Sequence, residues 1–406
     1  MMNKKLFIPL MAALFLLSCS GTREKAEILP LSYYRSLKDE SILSGMRSPL
    51  DEEAFRSACW AMAISTYRSE YIQERFAALF PSLTEYGTLT QRAFWEAVYT
   101  LYPREFTAEA YKYLREASNP KLFAMASYYL LRAEPGKKSA EFVLRMMQKQ
   151  FPNDKYIHNP ILLSLRRCCT VFQELPPLRD LLDYHPGNGC TIYVFFRKNR
   201  DYPGIALLRK EDGQWMRKNG RIMTTRILGR SMSGLPGTIT NGNTPRGIYT
   251  LLGTGRSNNI FIGPSPTIIT GLPFEYDKAT FLRNDDSTSW EFSDYQALLP
   301  DSWKNFTPIH EAWYAGKAGR SEIIMHGSTI LPELYKDRPY YPLTPSLGCM
   351  THYEKWNGFG RLIKSDQQKM TDALMSCNTQ QGFLVVVELD DKKKAVKRKD
   401  VIRYLK

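Results

Sequence analysis

The hydrophobic pattern changes period near Leu175, and that change limits the fold more than any other feature of the chain. Before it, apolar residues recur at helical spacing in short segments closed by proline. SPLDEEAFRSACWAMAI reads as a helix with Ser48 as N-cap and Pro49 at its first position, and with Phe55, Cys59, Met62 and Ala63 at helical spacing. TLTQRAFWEAVYTLYP repeats the pattern with Phe94, Trp95, Val98, Leu101 and Tyr102, then stops at Pro103. In NPKLFAMASYYLLRAEPG, Asn119 is the cap, Pro120 follows it, and Pro135-Gly136 ends the run. SAEFVLRMMQKQFP carries Phe142, Val143, Met146 and Met147 up to Pro152. The stops at Pro81, Pro103, Pro135 and Pro152 are unevenly spaced, which fits a helical bundle or an irregular α-solenoid and no named repeat. The aromatic stripes read as core, with a concave binding face as the alternative.

After Leu175, Pro176-Pro177 and the stretch from His185 to Gly189 mark a junction. TIYVFFRK, RGIYTLLG, SEIIMHG and GFLVVVEL are aromatic or β-branched and read as strands. GIALLRKEDGQWMRK holds two short runs around Asp212-Gly213, a hairpin signal. One helix, roughly Ser365 to Cys377, precedes the last strand. The fold class is therefore multidomain α + β. With 406 residues, 43% of them hydrophobic, the chain is large enough for two cores. The expected boundaries are a helical domain over 31–185 and a mainly β domain over 190–395. Within the latter, residues 255–320 form an insert rich in aromatics, among them Phe274, Trp290, Tyr295, Trp303 and Trp313. That insert reads as a lid, as a sugar-stacking surface or as a satellite core. The basic tail, 396–406, reads as a solvated surface.

The N-terminus carries Lys4 and Lys5, then an apolar run from Leu6 to Leu17 that is too short to span a bilayer. This is the pattern of an export signal over residues 1–18. Leu16-Leu17-Ser18-Cys19 resembles the lipobox of bacterial lipoproteins. The resemblance implies lipidation of Cys19, a tether over 19–30, and a membrane-anchored lipoprotein of the cell envelope that faces the periplasm. Net charge is +14. Such an excess favours anionic partners, but no nucleic-acid fingerprint accompanies it, and nucleic acid is not expected as a partner. Beyond Cys19 and Cys349, five cysteines are scattered at Cys59, Cys168, Cys169, Cys190 and Cys377. An odd number at such spacing argues against a disulfide framework, and the adjacent Cys168 and Cys169 suit core positions. With no C-x-x-C pair and no H-E-x-x-H, neither a structural zinc nor any other cofactor is expected.

The chemistry-bearing residues lie at the two ends of one proline-studded loop. His326-Gly327 closes a strand-like run, and Ser346-Leu347-Gly348-Cys349 stands 349 − 326 = 23 residues later. A nucleophilic thiol needs a base, and it needs donors for the oxyanion it creates. Gly348 permits a tight turn, Ser346 can bond within it, and an active thiol is expected to have a depressed pKa. The order His before Cys argues against papain-like and NlpC/P60-like peptidases.

On these residues the chain resembles the L,D-transpeptidase catalytic domain, the YkuD-type family. That family carries a His-Gly, a loop, and Ser-x-Gly-Cys. Upstream, NGNTPRGIYTLLG is similar to the family's Thr-Pro-x-Gly-x-aromatic segment, at Thr244, Pro245, Gly247 and Tyr249. The chain departs from the family at Thr351, where Arg or Asn is usual. The resemblance implies Cys349 as nucleophile, His326 as base, and the Gly327 carbonyl as the group that orients the imidazole. It further implies the Gly348 and Cys349 amides as oxyanion donors, and Thr244, Pro245, Gly247, Tyr249 and Thr351 as positions around the substrate. The implied activity is a cysteine acyltransferase on peptidoglycan stem peptides, forming 3-3 cross-links, or an L,D-carboxypeptidase, through a thioacyl-enzyme. The alternative is a non-catalytic envelope scaffold that binds stem peptide and docks a protein partner on its helical domain.

Overall fold

The computed structural model describes residues 25–47, 50–152, 156–170 and 173–405. The expected signal, Cys19, most of the tether, Ser48 and Pro49 lie outside the described residues. The helix expected near Ser48 spans Glu52–Ser65. Asp51 caps it, its carboxylate accepting from the Glu53 and Ala54 amides. Helix Thr88–Leu101 ends short of Pro103. Helix Pro120–Ala133 starts where Asn119 accepts from the Lys121 and Leu122 amides. Helix Lys137–Gln150 begins two residues before Ser139. Their apolar faces enclose one aromatic core that includes Phe55, Phe76, Phe94, Trp95 and Phe123. Cys168 is exposed and Cys169 half-buried, not core. They sit on the last turn of helix Pro160–Thr170, whose buried face is Ile161, Leu162 and Leu165.

Among the described residues, twelve strands follow: β1 Cys190–Phe196, β2 Gly204–Arg209, β3 Arg217–Lys218, β4 Arg221–Ile222, β5 Thr225–Leu228, β6 Gly247–Gly255, β7 Thr267–Gly271, β8 Met325–Gly327, β9 Met350–His352, β10 Glu354–Trp356, β11 Leu362–Ser365 and β12 Gly382–Glu388. Eight of them close a barrel in the order β1-β12-β6-β7-β8-β9-β5-β2. The architecture is thus α + β, helices first and a closed barrel second. The arm after Asp212-Gly213 pairs only as a bridge, Arg209 to Trp215, and as the two-residue strand β3. Of SEIIMHG, only the last three residues are strand.

One core cluster draws residues from all eight barrel strands, among them Ile192, Leu208, Ile227, Tyr249, Ile268, Met325, Met350 and Leu384. It is therefore the barrel interior, joined by Met370 and Leu374 of helix Asp366–Met375. The opposite face of β1, β2, β6 and β12 packs on the insert. Phe281, Tyr295, Trp303, Trp313 and Tyr314 are buried there against Tyr193, Phe195, Leu207 and Val385. The insert aromatics are thus a satellite core, built largely from short helices between Lys278 and Lys317. The tail is more than a solvated surface. Val396 and Val401 are buried, and the buried Arg197 bonds Asp390 at 2.8 Å and Asp400 at 2.6 Å.

The helical core does not end at the junction. It continues into Leu228, Met232, Leu235 and Ile239, and into Ile330, Tyr335, Tyr340 and Leu343 of the His–Cys loop. Tyr335 donates its hydroxyl to the Ile64 carbonyl at 2.9 Å.

Candidate functional site around His326 and Cys349

The site rests on a parallel ladder. β8 pairs with β9 so that Met325 faces Met350, His326 faces Thr351 and Gly327 faces His352. Met325 and Met350 point into the barrel, so alternation turns His326 and Thr351 outward, beneath the His–Cys loop. Cys349 immediately precedes β9, two residues before the ladder partner of His326, a distance of roughly 7 Å along a strand. The expected base thus lies on β8, and the expected nucleophile one residue ahead of the adjacent strand β9.

His326 is buried, and its Nδ1 lies 2.7 Å from the Gly327 carbonyl. A carbonyl only accepts, so Nδ1 carries the proton and Nε2 keeps its lone pair. Nε2 is thus the ring nitrogen able to accept a proton. Burial lowers the imidazole pKa to about 4, so the ring is neutral near pH 7 and able to take a proton. The Gly327 carbonyl also accepts from the Gly263 amide at 3.3 Å, which fixes it in place.

Cys349 is half-buried. Its sulfur accepts from the Ile324 amide at 3.5 Å and donates its proton to the Glu322 carbonyl at 3.3 Å. Glu322 turns through left-handed backbone, φ 57°, with its amide bonded to Glu275 at 2.8 Å. Burial pushes the thiol up to about 11, against the opposing pull of the Ile324 amide and the Arg320 charge. The depressed pKa expected for an active thiol is thus reversed. At neutral pH both partners are uncharged, and the thiol rests on a backbone carbonyl.

The turn itself is rigid. Gly348 has φ 129°, and a Cβ there would collide with the Arg320 guanidinium. Ser346 donates to the Cys349 carbonyl at 2.7 Å and accepts from the Gly348 amide at 3.0 Å. The Gly348 amide is therefore occupied and is no open oxyanion donor. The Cys349 amide has no acceptor among the described residues and remains available.

The positions expected around the substrate frame the turn instead. Thr244 is fully buried and donates to the Gly348 carbonyl at 2.8 Å. Tyr249 is buried in the barrel interior and donates to the Pro245 carbonyl at 2.7 Å. Gly247 has φ 138° and is packed against the Tyr295 hydroxyl and Ala312. Thr351 is buried, with its hydroxyl donated to the Thr344 carbonyl at 2.6 Å. The hydroxyl protons of Thr244, Tyr249 and Thr351 are thus all committed to backbone carbonyls. His352 is likewise spent: Nδ1 bonds the Gln367 side-chain oxygen at 2.8 Å and Nε2 the Thr225 hydroxyl at 2.9 Å. Gln367 in turn donates to the Met325 carbonyl at 3.1 Å, which braces β8.

Two site residues escaped sequence reasoning. Arg320 is buried behind Gly348 and donates to the carbonyls of Gly237, Gly242 and Asn243. No carboxylate bonds it among the described residues, and burial lowers its pKa to about 10, still fully charged at neutral pH. It supplies positive charge next to Cys349 from outside the motif, where Thr351 supplies none. Glu354 packs on Gly327, with one oxygen bonded to Ser365 at 2.7 Å and the other buried without a partner. Burial raises its pKa to about 7. An arginine twenty-nine residues from the cysteine (349 − 320) and a glutamate in a hairpin carry no local signal.

A cavity of about 820 Å³ lies elsewhere. Tyr128, Arg167, Arg200, Arg246 and Glu311 line it between the helices and the barrel, and neither His326 nor Cys349 borders it. Thr244 and Gly237 do, so the loop held by Arg320 separates the cavity from the thiol. Compared with known proteins, the chain matches no family model, no curated protein and no solved structure.

Proposed function

We propose that the protein is a cysteine acyltransferase acting on peptidoglycan stem peptides in the bacterial envelope. The observation that supports this reading is the β8–β9 ladder, which pairs His326 with Thr351, two residues after Cys349 and its glycine turn. The reaction requires the Cys349 thiol to leave the Glu322 carbonyl and reach His326. Nε2 takes the proton, and the thiolate attacks the carbonyl carbon of the third stem residue. The Cys349 amide donates to the oxyanion, a contact of a kind worth roughly 3–4 kcal/mol. Collapse expels the terminal D-residue, whose amine takes the proton back from His326. A side-chain amine of a second stem then attacks the thioester and forms a 3-3 cross-link, with the thiol restored. Water in place of that amine gives L,D-carboxypeptidase activity. The export pattern at residues 1–18 and the lipobox at Cys19 support an envelope location. The test is release of the terminal D-residue from a tetrapeptide stem. Wild type is expected to release it, and Cys349→Ala and His326→Ala to lose at least 100-fold; equal release by all three proteins rejects the reading.

The second reading, a non-catalytic stem-peptide binder, draws on the raised Cys349 pKa and on the thiol's bond to Glu322. It requires unchanged stem binding in Cys349→Ala and no release by wild type.

A further inference from the structure

Three donors from distant segments converge on the side of the barrel where β1 begins. They are Cys190 at the start of β1, Glu211 after β2, and Cys377 just beyond helix Asp366–Met375. Their two sulfurs and a carboxylate oxygen all lie within 4.8 Å of one another. We propose that Cys190, Glu211 and Cys377 form a binding site for a thiophilic divalent cation of the zinc type, separate from the His326–Cys349 site.

The donor set and its spacing carry the proposal. Two thiolates and a carboxylate suit a borderline-soft cation and are poor ligands for magnesium or calcium. Cys190 Sγ and Glu211 Oε2 are 3.3 Å apart. The corresponding edge of a zinc tetrahedron, from Zn–S of about 2.3 Å and Zn–O of about 2.0 Å, is about 3.5 Å. The carboxylate is already oriented. Oε1 accepts from the Asn378 amide at 2.6 Å and the Thr379 amide at 3.3 Å, so Oε2 alone turns to the sulfurs. The Thr379 carbonyl, 3.5 Å from Cys190 Sγ, or a water completes the fourth position. Cys190 is buried, whereas Glu211 and Cys377 are half-buried, which leaves a way in.

Binding forms two metal–sulfur bonds and one metal–oxygen bond and releases the thiol protons to solvent. A dication with three anionic ligands leaves a single negative charge, beside Lys210. The expectation of no zinc rested on short motifs. Here the ligands are separated by 21 and 166 residues (211 − 190 and 377 − 211), and only barrel closure brings them together. The bound cation would clip the end of helix Asp366–Met375 to β1. That helix carries Gln367, which braces β8.

The experiment uses the full chain, reduced and freed of metal by chelation. Cobalt(II) is added as a spectroscopic probe, and zinc is titrated in competition with a chromophoric chelator. One equivalent is expected to bind, with a thiolate-to-cobalt charge-transfer band. Cys190→Ser and Cys377→Ser should each lose most of that band, Glu211→Gln should weaken zinc binding at least tenfold, and Cys349→Ala should change neither. Wild type alone supplies a second measurement should a variant fail to fold. Zinc should protect Cys190 and Cys377 from maleimide, mapped by peptide mass, and leave Cys168 labelling unchanged. Absence of the band and of protection in wild type overturns the proposal. So does a band that survives the double Cys190→Ser, Cys377→Ser variant.

Discussion

At Cys349, burial and local charge oppose each other, and burial prevails. The thiol pKa of about 11 fixes a pH profile for its reactivity. Alkylation by iodoacetamide should rise about tenfold per pH unit from pH 7 and level off only near 11, because the thiolate is the nucleophile. A plateau below pH 8 contradicts the burial argument. Arg320→Met removes the nearby positive charge, so its profile should move to higher pH while Arg320→Lys holds closer to wild type; identical profiles remove Arg320 from the site. Glu354 gives a stability prediction. Its folded pKa, raised from 4.5 to about 7, means that the protonated form favours folding. The contribution is full below pH 4.5 and is lost as pH rises through 7, by roughly 3 kcal/mol in all. Glu354→Gln should therefore be more stable than wild type above pH 7 and nearly equal to it at pH 4.5, as read by urea denaturation at the two pH values.

The His–Cys loop is the element that decides whether the site holds its shape. Its residues Ile330, Tyr335, Tyr340 and Leu343 belong to the core of the helical half. Tyr335→Phe should cost about 1 kcal/mol through loss of the bond to Ile64. Tyr335→Ala should cost about 3–5 kcal/mol through the cavity it leaves. Both are measured by chemical denaturation, and turnover should fall more in Tyr335→Ala than stability alone explains. The sequence was most legible at this scale. Helices with strong periodicity and a polar cap, such as Pro120–Ala133 behind Asn119, were readable from local chemistry. So were continuous apolar strands such as β12. Short strands were less so: β8 is only the last three residues of SEIIMHG, and β9, also of three residues, carried no readable signal because the barrel pairing makes it. The His-Gly and Ser-x-Gly-Cys ends were visible as motifs. The roles of Thr244 and Tyr249 were not, because burial and hydrogen-bond partners are set by contacts distant in sequence.

Across the whole molecule, the helices share one continuous core with the loops of the barrel. Three buried histidines, His310, His326 and His352, have pKa values lowered to about 4 by burial. Each contributes stability above its unfolded value of 6.5, and that stability is lost as pH falls toward 4. Thermal denaturation should therefore show Tm dropping steeply between pH 6.5 and 4, and His352→Gln should flatten part of the drop; a flat wild-type profile contradicts the burial of all three. Among the described residues, no helix is long and apolar enough to cross a membrane. The proposed activity depends on His326, on β8, and Cys349, just ahead of β9, acting together. The most direct measurement is the intact mass of the protein after incubation with a tetrapeptide stem. The expected result is a covalent tripeptide adduct on Cys349 in wild type, sensitive to hydroxylamine and absent from Cys349→Ala. No adduct on a wild-type thiol that alkylates freely, or an equal adduct on Cys349→Ala, contradicts it.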